Sequence, residues 1–242
     1  MNPIYILSIG NSFSQDAQSY LHDLAKCNGV QIETVNLMIG GCPLEKHFRN
    51  MKGEKKKYTL EVNGHNCAGL LVSIKEALLA RNWDYVTLQQ ASHLSYQKES
   101  YEPYIRELAS YIREFCPKAK ILIHQTWAYE TGSERIHALG FETYEEMFDE
   151  IKKCYDKAAI DIHADGIIPS GAAMENALAL GLPSIHRDTF HAKLGLGRFL
   201  LALVWYRYFT GNSIDEIEFQ QFEEPVDESE YQLVIEAVKK TL

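Results

Sequence analysis

A serine stands in the string Gly10-Asn11-Ser12-Phe13-Ser14, directly after a short apolar run. Late in the chain a carboxylate stands three residues before an imidazole, in Asp188-Thr189-Phe190-His191. A hydroxyl, an imidazole and a carboxylate are the groups that nucleophilic acyl transfer requires. The imidazole takes the hydroxyl proton, and the carboxylate fixes the ring tautomer and steadies the imidazolium that results. A spacing of one helical turn lets Asp188 accept the Nδ1–H of His191, leaving Nε2 free to face a serine. Each string also has a plainer meaning: Ser12 or Ser14 can simply cap a helix, and D-x-x-H strings arise by chance. Together they predict Ser12 as nucleophile, His191 as base and Asp188 as its charge partner, a chemistry that asks for no metal and no organic cofactor.

Elements far apart in the chain must bring these residues together. Ile4 to Ile9 is apolar, rich in β-branched residues and closed by Gly10, the pattern of a strand buried on both faces. Further strands are expected at Ile32 to Met38, Tyr85 to Leu88, Ile121 to His124 and Gly166 to Ile168. Helical spacing runs from Asp16 to Lys26 and over 70–81, 101–115, 143–160 and 171–180, with closing helices at 193–210 and 227–241. Strands alternating with helices predict βαβ units, hence a parallel sheet with helices on both faces. Residues 51–69, which include KKYTLEVNG, read as a small hairpin or an excursion from the core. Ligands collect beyond the carboxyl ends of such strands. The loops that matter are therefore Gly10 to Ser14, Gly40 to Leu44, Gln89 to Ser95, Gln125 to Tyr129 and His186 to His191. Trp127 and Tyr129 would lie near that rim, as stacking surfaces for a sugar ring or as ordinary packing.

Composition excludes several classes. The 242 residues are 46% hydrophobic and 24% charged, which suits one soluble domain with a sizeable core. A formal charge of -9 works against a nucleic-acid partner, whose phosphates demand Lys and Arg. The basic run Lys55-Lys56-Lys57 reads as a solvated loop face. Five widely spaced cysteines without a C-x-x-C pair predict reduced, mostly buried thiols. The longest apolar segment, Phe199 to Phe209, contains Arg207 and falls short of the ~20 residues of a bilayer span, so it reads as a core helix and no membrane partner is expected. The amino terminus lacks a basic region and a small-residue cleavage pattern, which predicts a cytoplasmic location.

G-N-S after a first strand, paired with D-x-x-H ahead of a closing helix, resembles the SGNH (GDSL-like) hydrolase superfamily across nearly the whole chain. The resemblance implies one domain over 1–242. It also implies a flavodoxin-like three-layer α/β/α sandwich around a five-stranded parallel sheet, ordered 2-1-3-4-5. It implies ester hydrolysis, here of a short-chain ester, acetyl foremost, on a small molecule or carbohydrate. The superfamily's second block is an oxyanion-binding glycine after strand 2, and Ile39-Gly40-Gly41-Cys42 matches that place with either Gly40 or Gly41. The same glycines suit a plain tight turn. Its third block is G-x-N-D after strand 3, where this chain has Leu88-Gln89-Gln90-Ala91-Ser92. Trp83 to Ser92 resembles a branch of the superfamily with W-D-x-V-x-L-Q at this place. A glutamine amide offers the asparagine's N–H on a longer arm, so Gln90, with Gln89 in reserve, is the expected side-chain oxyanion donor beside the Ser12 N–H. Asn11, Gln89, Trp127 and Tyr129 are the expected substrate contacts.

Two other readings compete. His186, Asp188 and His191 form H-x-D-x-x-H, with His124 and His163 elsewhere, a set that a metal-dependent hydrolase could use. The altered third block also suits a non-catalytic carbohydrate-binding protein that keeps an esterase fold, because fold alone does not establish function.

Overall fold

The computed structural model describes residues 2–242. The chain begins with β1 (Ile4–Gly10), α1 (Ser12–Gln18), α2 (Leu21–Cys27), β2 (Ile32–Met38) and α3 (Leu44–Lys52). It continues through β3 (Tyr58–Val62), β4 (His65–Val72), α4 (Ile74–Leu79), β5 (Tyr85–Leu88) and α5 (Tyr104–Phe115). The last part comprises β6 (Lys120–His124), α6 (Glu134–Ala138), α7 (Tyr144–Asp161), β7 (Gly166–Ile168), α8 (Ser170–Ala179), α9 (Leu196–Thr210) and α10 (Glu228–Thr241).

All seven strands join one sheet in the order β4-β3-β2-β1-β5-β6-β7. β2, β1, β5, β6 and β7 run parallel, while β3 and β4 add antiparallel at the β2 edge. The expected five-stranded parallel sheet is therefore corrected to a seven-stranded mixed one. The physical cause is the dipeptide Asn63-Gly64. Both residues take positive φ, 52° and 80°, as a tight two-residue hairpin turn requires, and Val62 pairs directly with His65 across it. β4 escaped notice because Gly69 and an irregular register opposite β3 break its alternation.

Two helix boundaries also differ from expectation. The helix expected over 70–81 starts only after Ser73, whose side chain accepts from the Glu76 N–H while the Glu76 carboxylate accepts from the Ser73 N–H. That S-x-x-E capping box stops β4 from running into the helix. The helix expected from Asp16 begins four residues earlier and breaks at Ser19-Tyr20 into α1 and α2. Ser12 consequently becomes the first residue of a helix.

α9 is buried from Leu196 to Tyr206, as a helix apolar on every side must be. It packs against α1, α2, α8 and α10 on one face of the sheet, while α3, α4 and α5 pack together on the other. Among the described residues no helix is long and apolar enough to cross a membrane. All five cysteines are free, and Cys42, Cys116 and Cys154 are buried.

Candidate active site

The β1–α1 turn is built around close approach. A Cβ on Gly10 would lie 2.0 Å from Ser14 Oγ, so only glycine lets the chain enter the helix there. Asn11 caps α1: its Oδ1 accepts from the Phe13 N–H at 3.0 Å, and Ser14 Oγ accepts from the Asn11 N–H at 3.0 Å. The cap leaves the Ser12 N–H without an acceptor among the described residues and presents its hydroxyl beyond the carboxyl end of β1.

The second half of the site is a closed loop, not the helical turn that its spacing suggested. His186 and Ala192 pair as a β-bridge, and the Arg187 N–H donates to the His191 carbonyl at 3.0 Å. Thr189 turns the loop with a φ of 72°. Within it, Asp188 Oδ1 accepts the His191 N–H at 2.8 Å and Oδ2 accepts the ring Nδ1–H at 2.7 Å. A carboxylate only accepts, so the proton sits on Nδ1 and Nε2 is left as an acceptor. His191 Nε2 lies 2.8 Å from Ser12 Oγ. Burial by itself would raise the Asp188 pKa, but the hydrogen bonds from His191 outweigh it and hold the carboxyl below its ordinary value. Ser12, His191 and Asp188 thus meet in the order hydroxyl, imidazole, carboxylate.

Contacts that the sequence reading did not single out hold the loop against α1. Asp16, one turn after Ser12, is fully buried and accepts from Arg187 Nη1 at 3.0 Å, Arg198 Nε at 2.9 Å and the Ala192 N–H at 3.2 Å. Arg198 also pairs with Glu223. The Trp127 Nε1–H donates to the Phe190 carbonyl at 2.7 Å, and the Glu130 N–H donates to the Thr189 carbonyl at 2.8 Å. Phe13 stacks on Trp127 with centroids 4.1 Å apart, and the Phe190 ring lies 3.8 Å from the His191 ring. The signals present in the sequence were an acid one helical turn beyond the serine and an arginine immediately before Asp188.

Several expected contacts are corrected. Gln90 is fully buried, with Oε1 accepting from the Leu44 N–H at 3.0 Å and the Ala91 N–H at 2.8 Å. Its Nε2 donates to the Ser100 carbonyl at 2.8 Å and to Ser100 Oγ at 2.9 Å, so no donor remains for an oxyanion. Gln89 is equally buried: Nε2 donates to Asn11 Oδ1 at 2.8 Å, and Oε1 accepts from the His124 Nδ1–H at 2.7 Å. Asn11 is 2% exposed, and its Nδ2 donates to the Cys42 carbonyl at 3.3 Å. These three amides tie the loops after β1, β2 and β5 together and do not face a substrate. Trp127 and Tyr129 are likewise buried, the latter sharing a hydrogen bond of 2.9 Å with Ser92 Oγ. They are packing residues, not stacking surfaces. Gly40 and Gly41 are exposed beyond β2, and Gly41 has a φ of 58°. Among the described residues neither of their N–H groups meets an acceptor.

The histidines of the metal reading do not converge. The His186 Nε2–H donates to the Ala128 carbonyl at 3.0 Å, and burial lowers its pKa to about 4. His124 lies between Gln89 and Ser170, and burial lowers its pKa to about 3. Among the described residues no three His, Cys, Asp or Glu side chains are grouped to hold a metal ion. Cys42 lies 3.7 Å from His47 Nδ1 below the Gly40-Gly41 turn, but burial pushes its thiol up to about 12. It stays protonated and is no nucleophile.

Comparison with known proteins places the fold. A DUF4886 family protein from Bacteroides uniformis superposes with a TM-score of 0.91 at 33% identity, covering 99% of this chain and 95% of that one. The psychrotrophic esterase EstA from Pseudoalteromonas superposes with a TM-score of 0.54 at 13% identity, covering 86% and 99%. A member of the lipolytic G-D-S-L family from Veillonella parvula gives 0.52 at 13% identity, covering 86% and 97%. At such identities these last two show a shared GDSL-like fold. A search of curated proteins found no match. The model of a domain of unknown function, DUF4886, matches residues 5–240, and the chain therefore belongs to the DUF4886 family.

Proposed function

We propose that the chain is a serine ester hydrolase. The observation that carries the reading is the unbroken series Ser12 Oγ, His191 Nε2, His191 Nδ1, Asp188 Oδ2, with contacts of 2.8 and 2.7 Å. His191 Nε2 takes the Ser12 proton as Oγ attacks the ester carbonyl carbon. The carbonyl oxygen becomes an oxyanion, received by the Ser12 N–H and by the Gly40 or Gly41 N–H. As the intermediate collapses, the imidazolium protonates the departing alkoxide and the acyl group remains on Oγ. Water, deprotonated by His191, attacks that acyl-enzyme and releases the acid, restoring the Ser12 hydroxyl. Asp188 steadies the imidazolium in both halves. The GDSL-like fold shared with an esterase supports the reaction class, and the superfamily's frequent short-acyl carbohydrate esterases support an acetyl ester, on a carbohydrate, as the substrate.

With Gln90 spent on structure, the oxyanion is served by backbone donors alone. Each donor is worth roughly 10²–10³ in turnover, so a modest kcat is expected. The missing third donor is also the one feature favouring a non-catalytic, carbohydrate-binding protein. Two measurements separate these readings. Ser12→Ala should abolish hydrolysis of p-nitrophenyl acetate with little change in Tm, and an alkylphosphonate should add its mass to Ser12 of the wild-type protein. Undiminished hydrolysis by Ser12→Ala sinks the esterase reading, and failure of the phosphonate to label Ser12 favours the binding protein.

A further inference from the structure

Beside the Asp188–His191 loop lies a groove of about 560 Å³, lined by Ser133, Glu134, Arg135, Ala138 and Thr189. Thr189 belongs to the loop itself, so the groove opens against the residues that hold His191. Over it stands Arg135, whose guanidinium carbon lies 4.1 Å from the centroid of Phe190 and 6.0 Å from that of Tyr129. Phe190 in turn lies against the His191 ring, with centroids 3.8 Å apart. Cation, aromatic ring and imidazole follow one another in contact, the two rings tilted by 39°.

A guanidinium lying on a ring keeps its N–H groups in its own plane, available to a carboxylate, sulfate or phosphate edge. Among the described residues Arg135 has neither an ion-pair partner nor a hydrogen-bond acceptor, in a chain where most arginines have one. Glu134 lines the same groove, but among the described residues no ion pair joins it to Arg135. This series of contacts also sets which part of a substrate reaches the cation. His191 must deliver its proton to the leaving alcohol oxygen, so the alcohol part lies on the His191 side of Ser12, toward Phe190 and Arg135.

We infer that this groove is the alcohol subsite and that Arg135 selects esters whose alcohol part carries an anionic group, such as an acylated acidic sugar. The inference rests on the esterase reading for the placing of the leaving group. Arg135 is a specificity-determining residue and takes no part in the proton transfers.

The test compares meta-acetoxybenzoate and meta-acetoxybenzenesulfonate with the neutral meta-acetoxybenzamide. Charge-assisted contacts exceed neutral ones, so kcat/KM of the wild-type protein should favour at least one anion about tenfold, and the larger preference identifies the anion. Arg135→Gln should bring the ratio close to one, and Arg135→Lys should keep part of it. The ratio is internal to each protein, so a change in folded fraction cancels. Hydrolysis of p-nitrophenyl acetate by the wild-type protein checks the esterase reading separately. If that ester is turned over and the anion preference is absent, or survives in Arg135→Gln, the subsite is wrong and the esterase reading stands. If no ester is turned over, calorimetric binding of meta-hydroxybenzoate and meta-hydroxybenzenesulfonate against meta-hydroxybenzamide decides the subsite. Tighter binding of an anion that depends on Arg135 upholds it, and equal binding overturns it.

Discussion

Asp16→Asn asks how the two halves of the site are held together. The Asp16 carboxylate has no exposed surface and accepts from Arg187 at 3.0 Å, Arg198 at 2.9 Å and the Ala192 N–H at 3.2 Å. Asparagine nearly matches its shape but brings no charge and one acceptor oxygen. Arg187 can turn toward solvent, whereas Arg198, with a side chain 11% exposed, keeps only the half-exposed Glu223. Removing one partner of a buried pair costs roughly 3–5 kcal/mol, and the surviving Glu223 contact puts the expected loss at about 3 kcal/mol. For a chain of this length each kcal/mol moves Tm by about 2–4 °C, so a fall of about 6–12 °C is expected. The Ala192 N–H loses its anionic acceptor as well, which frees the His191 loop against α1. A displacement of about 1 Å can cost up to about 10²-fold in rate. Below the unfolding range, kcat for p-nitrophenyl acetate should therefore drop more than tenfold while KM changes little. Thermal unfolding by circular dichroism and the rate of Ser12 phosphonylation measure the two effects. A Tm within about 2 °C of the wild type, or an unchanged phosphonylation rate, refutes the argument.

Burial keeps His47, His124 and His186 neutral, lowering their pKa values to about 3, about 3 and about 4 from about 6.5 in the unfolded chain. Between those values the unfolded chain binds protons that the folded chain refuses. The contribution is thus fully present above about pH 6.5 and is lost on acidification, at up to about 1.4 kcal/mol per pH unit for each histidine. Tm should fall steadily from about pH 7 to about pH 4.5, and a flat profile contradicts the assignment. Gln90→Ala leaves the buried Leu44 and Ala91 N–H groups without acceptors, a loss of at least about 2 kcal/mol. Unfolding in denaturant should show that loss; a large fall in kcat at unchanged stability would instead restore Gln90 to the oxyanion hole.

The parallel part of the fold was legible because buried strands such as Ile4 to Ile9 and Tyr85 to Leu88 are short apolar runs between helical periods. The hairpin of β3 and β4 was only half legible. Its Asn63-Gly64 turn is a strong local signal, but Gly69 and the register shift erase the alternation that marks β4. The helix boundary at Ser73 was available in the S-x-x-E string and was missed because the apolar residues at 70 and 71 continue the helical spacing into β4.

For the site, residue types and order along the chain determined which groups could do chemistry: a serine after the first strand and a carboxylate three residues before an imidazole. Side-chain direction was beyond their reach. Asn11, Gln89, Gln90, Trp127 and Tyr129 stand at the expected strand ends, yet each turns inward, because a buried amide, indole or phenol must find partners for its polar atoms, and those partners are side chains and backbone groups of neighbouring loops. The Asp16–Arg187–Arg198 cluster spans more than 170 positions of sequence, so only the packed α1, α9 and His191 loop bring its charges within a hydrogen bond of one another. Local sequence encodes period and capping; which atoms are left facing solvent is settled when those loops compete for the same partners.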